Sequence, residues 1–101
     1  MGSDRDEFRS TFTSTTGGVM TREAGAVTGE LELLCQPGAD GLEVLVRYAG
    51  TDDWYTVSGS PVRIRGGENE KRKQLLEHLS TPGPVVDGNE RAVTLEGFTG
   101  I

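Results

Sequence analysis

The chain has one cysteine and one histidine, Cys35 and His78, and their side chains are the first candidates for catalysis. A thiol in contact with an imidazole can act as a nucleophile with its own base. A lone cysteine more commonly behaves as a small buried apolar side chain, and one cysteine with one histidine supplies too few ligands for a zinc site. From this pair we therefore predict no catalytic residue and no metal site.

Adjacent carboxylates at Asp52 and Asp53, beside two aromatic residues, are the second candidate. Such a group can perform acid–base chemistry or bind a hard cation. Aspartate is also a common turn residue, because its carboxylate accepts hydrogen bonds from nearby backbone N–H groups, and this alone explains the pair. One alternative function is nevertheless a small-molecule-binding or enzymatic pocket, lined by Tyr48, Asp53, Trp54 and Tyr55.

The glycines, 15 in all, are the third feature with a chemical interpretation. Gly17-Gly18 and Gly66-Gly67 do not match the spacing of the loops that bind dinucleotides or nucleoside triphosphates. Most glycines fall where turns and chain breaks are expected, so they indicate architecture and not a phosphate site. No cofactor is predicted.

Charge is distributed unevenly along the 101 residues, which hold 10 Lys and Arg against 16 Asp and Glu, for a formal net charge of −6. Residues 1–60 hold ten acidic and four basic residues, whereas residues 61–101 hold six of each. A net acidic chain is not suited to general nucleic-acid binding, which depends on basic residues that neutralise phosphates. The locally basic segment 63–73 supports the main alternative function, a nucleic-acid-associated factor, whose contact residues would be Arg63, Arg65, Lys71, Arg72 and Lys73.

The elements that must position these groups follow from alternating apolar residues and from turn signals. The expected strands cover residues 8–13, 27–35, 42–48, 54–58, 61–65 and 91–98, and the expected helix covers residues 68–79. Residues 14–26 are expected to form a loop with a short strand around Val19 and Met20, because Gly17-Gly18 and Gly25 interrupt regular structure there.

Two hairpin registers can be predicted from the turns at 36–41 and 49–52. The first turn pairs Cys35 with Leu42, and the second pairs Val46 with Tyr55. Both turns, placed independently, produce the same apolar face, because residues two apart on a strand share a face. That face consists of Leu31, Leu33, Cys35, Leu42, Val44, Val46, Tyr55 and Val57.

The fold class predicted from this order is α+β, mainly an antiparallel β-meander of about five to six strands, with the helix packed on the apolar face. Residues 8–101 are expected to form a single domain, and the charged residues 1–7 a flexible N-terminus without a secretory signal. No apolar run approaches the roughly 18–20 residues that a membrane helix needs.

The opposite face of the sheet is mixed in character, and we refer to it as the polar face. It consists of Glu30, Glu32, Leu34, Glu43, Leu45, Arg47, Trp54 and Thr56. The predicted register places Glu30 opposite Arg47, and Arg47 opposite Trp54, where a cation–π contact is possible. In one interpretation, Phe8 and Phe12 or the loop 14–26 cover this face as a second core layer; in another, it contacts a partner or a second copy.

The predicted function is that of a small acidic bacterial or phage protein that is not an enzyme and acts through protein–protein contact, as a regulator, inhibitor or accessory factor. Trp, Tyr and Arg side chains commonly anchor such interfaces. The contact residues would be Glu30, Glu32, Glu43, Leu45, Arg47 and Trp54. A cytoplasmic location is expected, since the single cysteine has no partner for an internal disulfide.

Overall fold

The computed structural model describes residues 8–38, 41–63 and 68–96, with the side chains of residues 68–72 left out of the description. Within these residues the architecture is α+β: mostly antiparallel strands with one short helix, which confirms the predicted fold class. The elements are β1 (Phe8–Thr13), β2 (Val19–Thr21), β3 (Gly25–Val27), β4 (Glu30–Gly38), β5 (Gly41–Tyr48), β6 (Tyr55–Thr56), α1 (Glu68–Leu79), β7 (Val85–Val86) and β8 (Asn89–Glu90).

The main sheet has the order β1-β4-β5-β6, and every neighbouring pair in it is antiparallel. In the second hairpin Val46 lies opposite Tyr55, as predicted. In the first hairpin Cys35 lies opposite Val44, so the prediction that it pairs with Leu42 is wrong. The strands extend to Gly38 and Gly41, which makes the connection shorter than expected and shifts the register by two residues. Each side chain nevertheless stays on its predicted face of the sheet, because side chains alternate with a period of two.

Several expected elements are shorter or divided. The expected strand 27–35 is split by Gly29, whose φ of +106° is readily adopted only by glycine, and Val27 belongs to a separate hairpin of β2 and β3. The segment 14–26 is therefore more ordered than a loop. Of the expected strands 61–65 and 91–98, the described residues form only the isolated bridges Leu42–Val62 and Val19–Val93. Residues 64–65 and 97–98 lie outside the described residues.

The β2–β3 hairpin continues the main sheet beyond β6. Thr21 forms a bridge with Val57, the N–H of Arg22 donates to the carbonyl of Thr56 at 2.9 Å, and the N–H of Ser58 donates to the carbonyl of Met20 at 2.9 Å. These bonds occupy the outer edge of β6. The β2–β3 hairpin therefore borders the polar face at that end of the sheet.

The core lies on the apolar face of the sheet, under α1. Leu75 and Leu79 of the helix are fully buried in one cluster with Leu33 of β4 and Val46 of β5. The helix covers the residues predicted, 68–79, and packs on the predicted face. In the part of the chain that the structure describes, no helix is long and apolar enough to cross a membrane.

Candidate protein-binding face of the sheet

The polar face is built by β4, β5 and the residue before β6. Glu32 lies opposite Arg47 and Leu34 opposite Leu45. Glu30 was expected to face Arg47, but on that side its carbonyl instead accepts a hydrogen bond at 3.0 Å from the N–H of Ala49. The same two-residue shift that changes the hairpin causes this difference. The six residues predicted for protein contact all belong to this part of the sheet, on β4, on β5 and directly before β6.

Trp54 is held on the polar face by two arginines. The guanidinium carbon of Arg47 lies 4.4 Å from the centroid of the indole ring, and that of Arg9 lies 5.9 Å from it. Arg47 is fixed in turn by Glu32, since its Nε donates to Oε1 at 2.5 Å. Cation–π contacts of this kind contribute about 0.5–1 kcal/mol at exposed positions. The result is an ordered stack of Glu32, Arg47, Trp54 and Arg9 across three strands and the turn before β6.

Arg9 was absent from the predicted contact residues. It lies on β1, which pairs with β4 so that Arg9 is opposite Leu34. The alternation in residues 8–13 did place Arg9 on the face opposite to Phe8 and Phe12, but nothing local indicates that β1 lies beside β4. Its position brings a second guanidinium group over the Trp54 ring, in addition to that of Arg47.

Two leucines of the polar face lie opposite one another on β4 and β5. Leu34 is only 6% exposed, and its cross-strand partner Leu45 is half-buried. Phe8 and Phe12 pack against the core cluster on the apolar face, so the interpretation that they cover the polar face is wrong. The β2–β3 hairpin lies beside β6, at the edge of the sheet. Among the described residues the polar face therefore presents the half-buried Leu45 and Trp54 beside charged side chains, whereas Leu34 is buried and is not part of its surface.

Two hollows are lined in part by residues of the polar face or of the stack. One, of about 370 Å³, is lined by Arg9, Ser10, Thr11 and Glu32. The other, of about 190 Å³, is lined by Arg22, Glu43, Leu45, Thr56, Ser60 and Pro61. Each is bordered by both a carboxylate and a guanidinium group. A binding partner can therefore place side chains of either charge in these hollows.

The wall of the second hollow is fixed by the turn between β2 and β3. Glu23 accepts a hydrogen bond at 2.7 Å from the backbone N–H of Thr56, and the guanidinium of Arg22 donates to the carbonyl of Ser60. The N–H of Thr56 lowers the pKa of the Glu23 carboxyl, because it stabilises the ionised form. No local sequence signal marks these two residues, since their partners are more than thirty positions away in the chain.

Glu23→Gln is expected to lower stability slightly at pH 7 and to have little effect at a pH below the folded-state pKa of Glu23. A folded-state pKa below the ordinary 4.5 means that the contribution of Glu23 is complete above that value. It is lost as the pH falls through the folded-state pKa. Urea unfolding of the wild type and the variant at several pH values measures the difference. Glu96→Gln, at an exposed residue, is the control, and a difference that does not change with pH would contradict the assignment.

The basic segment is only partly described. Arg63 and Lys73 are exposed, whereas Arg65 and the side chains of Lys71 and Arg72 lie outside the described residues. The structure therefore provides no geometry for a joint nucleic-acid contact by these five residues.

The residues of the aromatic pocket alternative are divided between the two faces. Trp54 lies in the arginine stack, whereas Tyr55 packs against the core cluster. Tyr48 shares the face of Val46 and is 39% exposed, and Asp53 is exposed in the turn. The hollows of about 370 and 190 Å³ have other walls.

Cys35 and His78 belong to different environments. Cys35 is fully buried in the core, whereas the Nε2 of His78 donates to the carbonyl of Thr94 at 2.7 Å, beside a hollow of about 350 Å³. A fully buried thiol is out of reach of a substrate in solution. Within residues 8–38, 41–63 and 68–96, no group of three or more His, Cys, Asp or Glu side chains is arranged to hold a metal ion.

Comparisons with protein-family models, with curated proteins and with solved structures gave no match for this chain.

Proposed function

We propose that this chain acts through protein–protein contact, as a regulator, inhibitor or accessory factor without an enzymatic reaction of its own, and that the polar face binds the partner. The supporting observation is the half-buried Trp54, whose indole ring has the guanidinium groups of both Arg9 and Arg47 over it on a mostly polar surface. Ordered Trp and Arg side chains lose little conformational entropy on binding, and such residues dominate interface energetics.

The charged residues around the polar face indicate what kind of partner surface it would bind. Glu30, Glu43, Asp52 and Asp53 are exposed carboxylates around or beside the stack. With a net charge of −6 on the whole chain, they favour a partner with a basic patch. The half-buried Leu45 and Trp54 favour an apolar side chain of the partner within that patch.

Trp54→Ala is expected to weaken binding of this partner by about 30-fold or more, since truncation of a tryptophan that anchors an interface can cost about 2 kcal/mol or more. The partner is first isolated by affinity capture from the source lysate at low and high salt and identified by mass spectrometry. Its dissociation constant is then measured by calorimetry. Glu43→Lys, at one of the charged residues of the polar face, is expected to weaken binding mainly at low salt, where charge attraction is least screened.

The matched control is Val85→Ala, which truncates an exposed apolar residue on the β7–β8 hairpin, outside the polar face. It is expected to bind like the wild type. Thermal unfolding of each variant separates lost binding from lost folding. If Trp54→Ala and Glu32→Lys both remain folded and bind the captured proteins as the wild type does, the polar face is not the contact surface.

The proposed compartment is the cytoplasm, and the proposed source is a bacterium or a phage. A single cysteine, fully buried in the core, is compatible with a reducing environment.

A further inference from the structure

A hollow of about 350 Å³ lies beside the end of α1, between the loop 81–84 and the segment 91–94. Its volume is within the range of small-ligand sites, which commonly occupy about 300–1,000 Å³. None of its lining residues belongs to the polar face, so a ligand bound here would be independent of the function proposed for that face.

Contacts between the loop and the segment fix the walls of this hollow. The N–H of Arg91 donates to the carbonyl of Pro84 at 2.8 Å, and the Nε2 of His78 donates to the carbonyl of Thr94 at 2.7 Å. A Cβ added at Gly83 would lie 2.6 Å from the carbonyl oxygen of Arg91, so the loop and the segment touch through their backbones. The prolines on either side of Gly83 restrict the loop further, because proline fixes φ. The hollow is therefore largely formed before a ligand binds.

Most of the lining surface of the hollow is apolar. Two prolines, Ala92 and Val93 contribute to it, and proline has no backbone N–H to offer a ligand. The hydroxyl of Thr81, which also lines the hollow, already donates to the carbonyl of Glu77 at 2.7 Å. A ligand that fills this space therefore needs an apolar body.

Arg91 supplies a positive charge in the wall of the hollow. The described lining residues include no Asp or Glu, although the chain holds 16 acidic residues against 10 basic ones. The neighbouring carboxylate, that of Glu90, accepts a hydrogen bond from the N–H of Gly17 at 2.8 Å. Among the described residues, no carboxylate forms an ion pair with the guanidinium of Arg91. The charge of the wall therefore favours an anionic ligand.

We propose that this hollow binds a small apolar carboxylic acid, with its apolar part against the prolines, Ala92 and Val93 and its carboxylate on the guanidinium of Arg91. The planar guanidinium group matches a carboxylate, because the two can form a pair of parallel N–H···O bonds. At roughly 30 Å³ for each water-sized group, the volume admits about ten to twelve non-hydrogen atoms. Phenylacetate is of this size and serves as the probe.

Titration of the ¹⁵N-labelled protein with phenylacetate, followed by NMR, tests the site. We expect the amide signals of Ala92, Val93 and Thr94 to move, with a Kd near 1 mM, which is ordinary for a ligand of this size. Phenylacetamide has the same shape without the charge and is expected to bind about tenfold more weakly, because the charge-assisted hydrogen bonds are lost. Unmoved signals, or equal affinities for the acid and the amide, overturn the proposal. Movement of the same signals with protein concentration alone would identify a second copy as the occupant and overturn it as well.

Two variants test the roles of the charge and of the space separately. Arg91→Gln is expected to weaken phenylacetate binding about tenfold and to leave phenylacetamide binding unchanged. Ala92→Leu, which adds a larger side chain to the wall, is expected to weaken both. Arg63→Gln, at an exposed arginine that does not line the hollow, is the matched control and is expected to bind like the wild type.

Thermal unfolding shows whether each variant is folded. A folded Arg91→Gln variant with unchanged affinity for phenylacetate excludes Arg91 as the partner of the carboxylate. A folded Ala92→Leu variant with unchanged affinity for both probes excludes the hollow as the site. Either result overturns the proposal, and the comparison of the acid with the amide in the wild type tests it even if both variants fail to fold.

Discussion

Gly59→Ala is expected to reduce the free energy of unfolding by about 4 kcal/mol, a loss that is exceptional for a single substitution. Gly59 has a φ of +98°, which residues with a Cβ rarely adopt. A Cβ added there would lie 2.3 Å from the carbonyl carbon of Leu95 and 2.4 Å from the backbone nitrogen of Glu96. The obstructing atoms belong to the backbone of Leu95 and Glu96, so no side-chain rotation can relieve the clash.

The close approach at Gly59 holds several parts of the fold together. The carbonyl of Ser58 accepts a hydrogen bond from the N–H of Leu95 at 2.8 Å, and the hydroxyl of Ser60 accepts one from the N–H of Val44 at 2.9 Å. A shift of residues 58–60 therefore disturbs the contact of the chain end with the sheet as well as that with β5. We therefore expect the cooperative unfolding transition of the whole domain to move to lower urea concentrations. Local loosening of residues 58–60 alone would not produce this shift.

Gly50→Ala is the matched control for this prediction. Gly50 has a similar φ of +87°, but nothing lies within 4 Å of an added Cβ. Its substitution measures the backbone strain alone, which costs about 1–2 kcal/mol. Urea unfolding followed by circular dichroism gives both values. Equal losses for the two variants would show that the contact with Leu95 is not as close as described.

Leu75→Ala is expected to reduce the free energy of unfolding by about 3 kcal/mol, within the usual range for a buried leucine. Leu75 is fully buried, and with Leu79 it supplies the buried contacts of α1 in the core cluster. The first part of the helix contains Glu, Asn, Lys and Arg and no apolar residue. A helix of 12 residues is marginal in isolation, so its persistence depends on these contacts.

Ellipticity at 222 nm during urea unfolding measures this effect, and Leu76→Ala is the control on the same turn of the helix. Leu76 is half-buried and packs against the edge of the core cluster, so its truncation is expected to cost clearly less. If both variants lose the same stability, the helix is not held mainly through Leu75. A helical signal that disappears before the strands unfold would show that α1 separates as a unit.

The helix and the two faces of the sheet are the parts that were predictable from sequence. Strand alternation reports only which residues share a face, and it does so from neighbours two positions apart. The helix 68–79 is marked by acidic residues at its start and by Ser80-Thr81-Pro82 after its end, all of them local signals. Strand alternation also assigned the residues of the polar face, because it depends only on neighbours in the chain.

The sequence by itself therefore determined the composition of each face, the helix and the α+β class. Only the tertiary structure decided which strands are neighbours and at what register. A shift of two residues leaves every side chain on its face, so alternation cannot distinguish Val44 from Leu42 as the partner of Cys35. The placement of β1 beside β4, which brings Arg9 to Trp54, and the reach of Glu23 to Thr56 join residues distant in the chain. Such contacts are set by closure of the common core, and no local pattern encodes them.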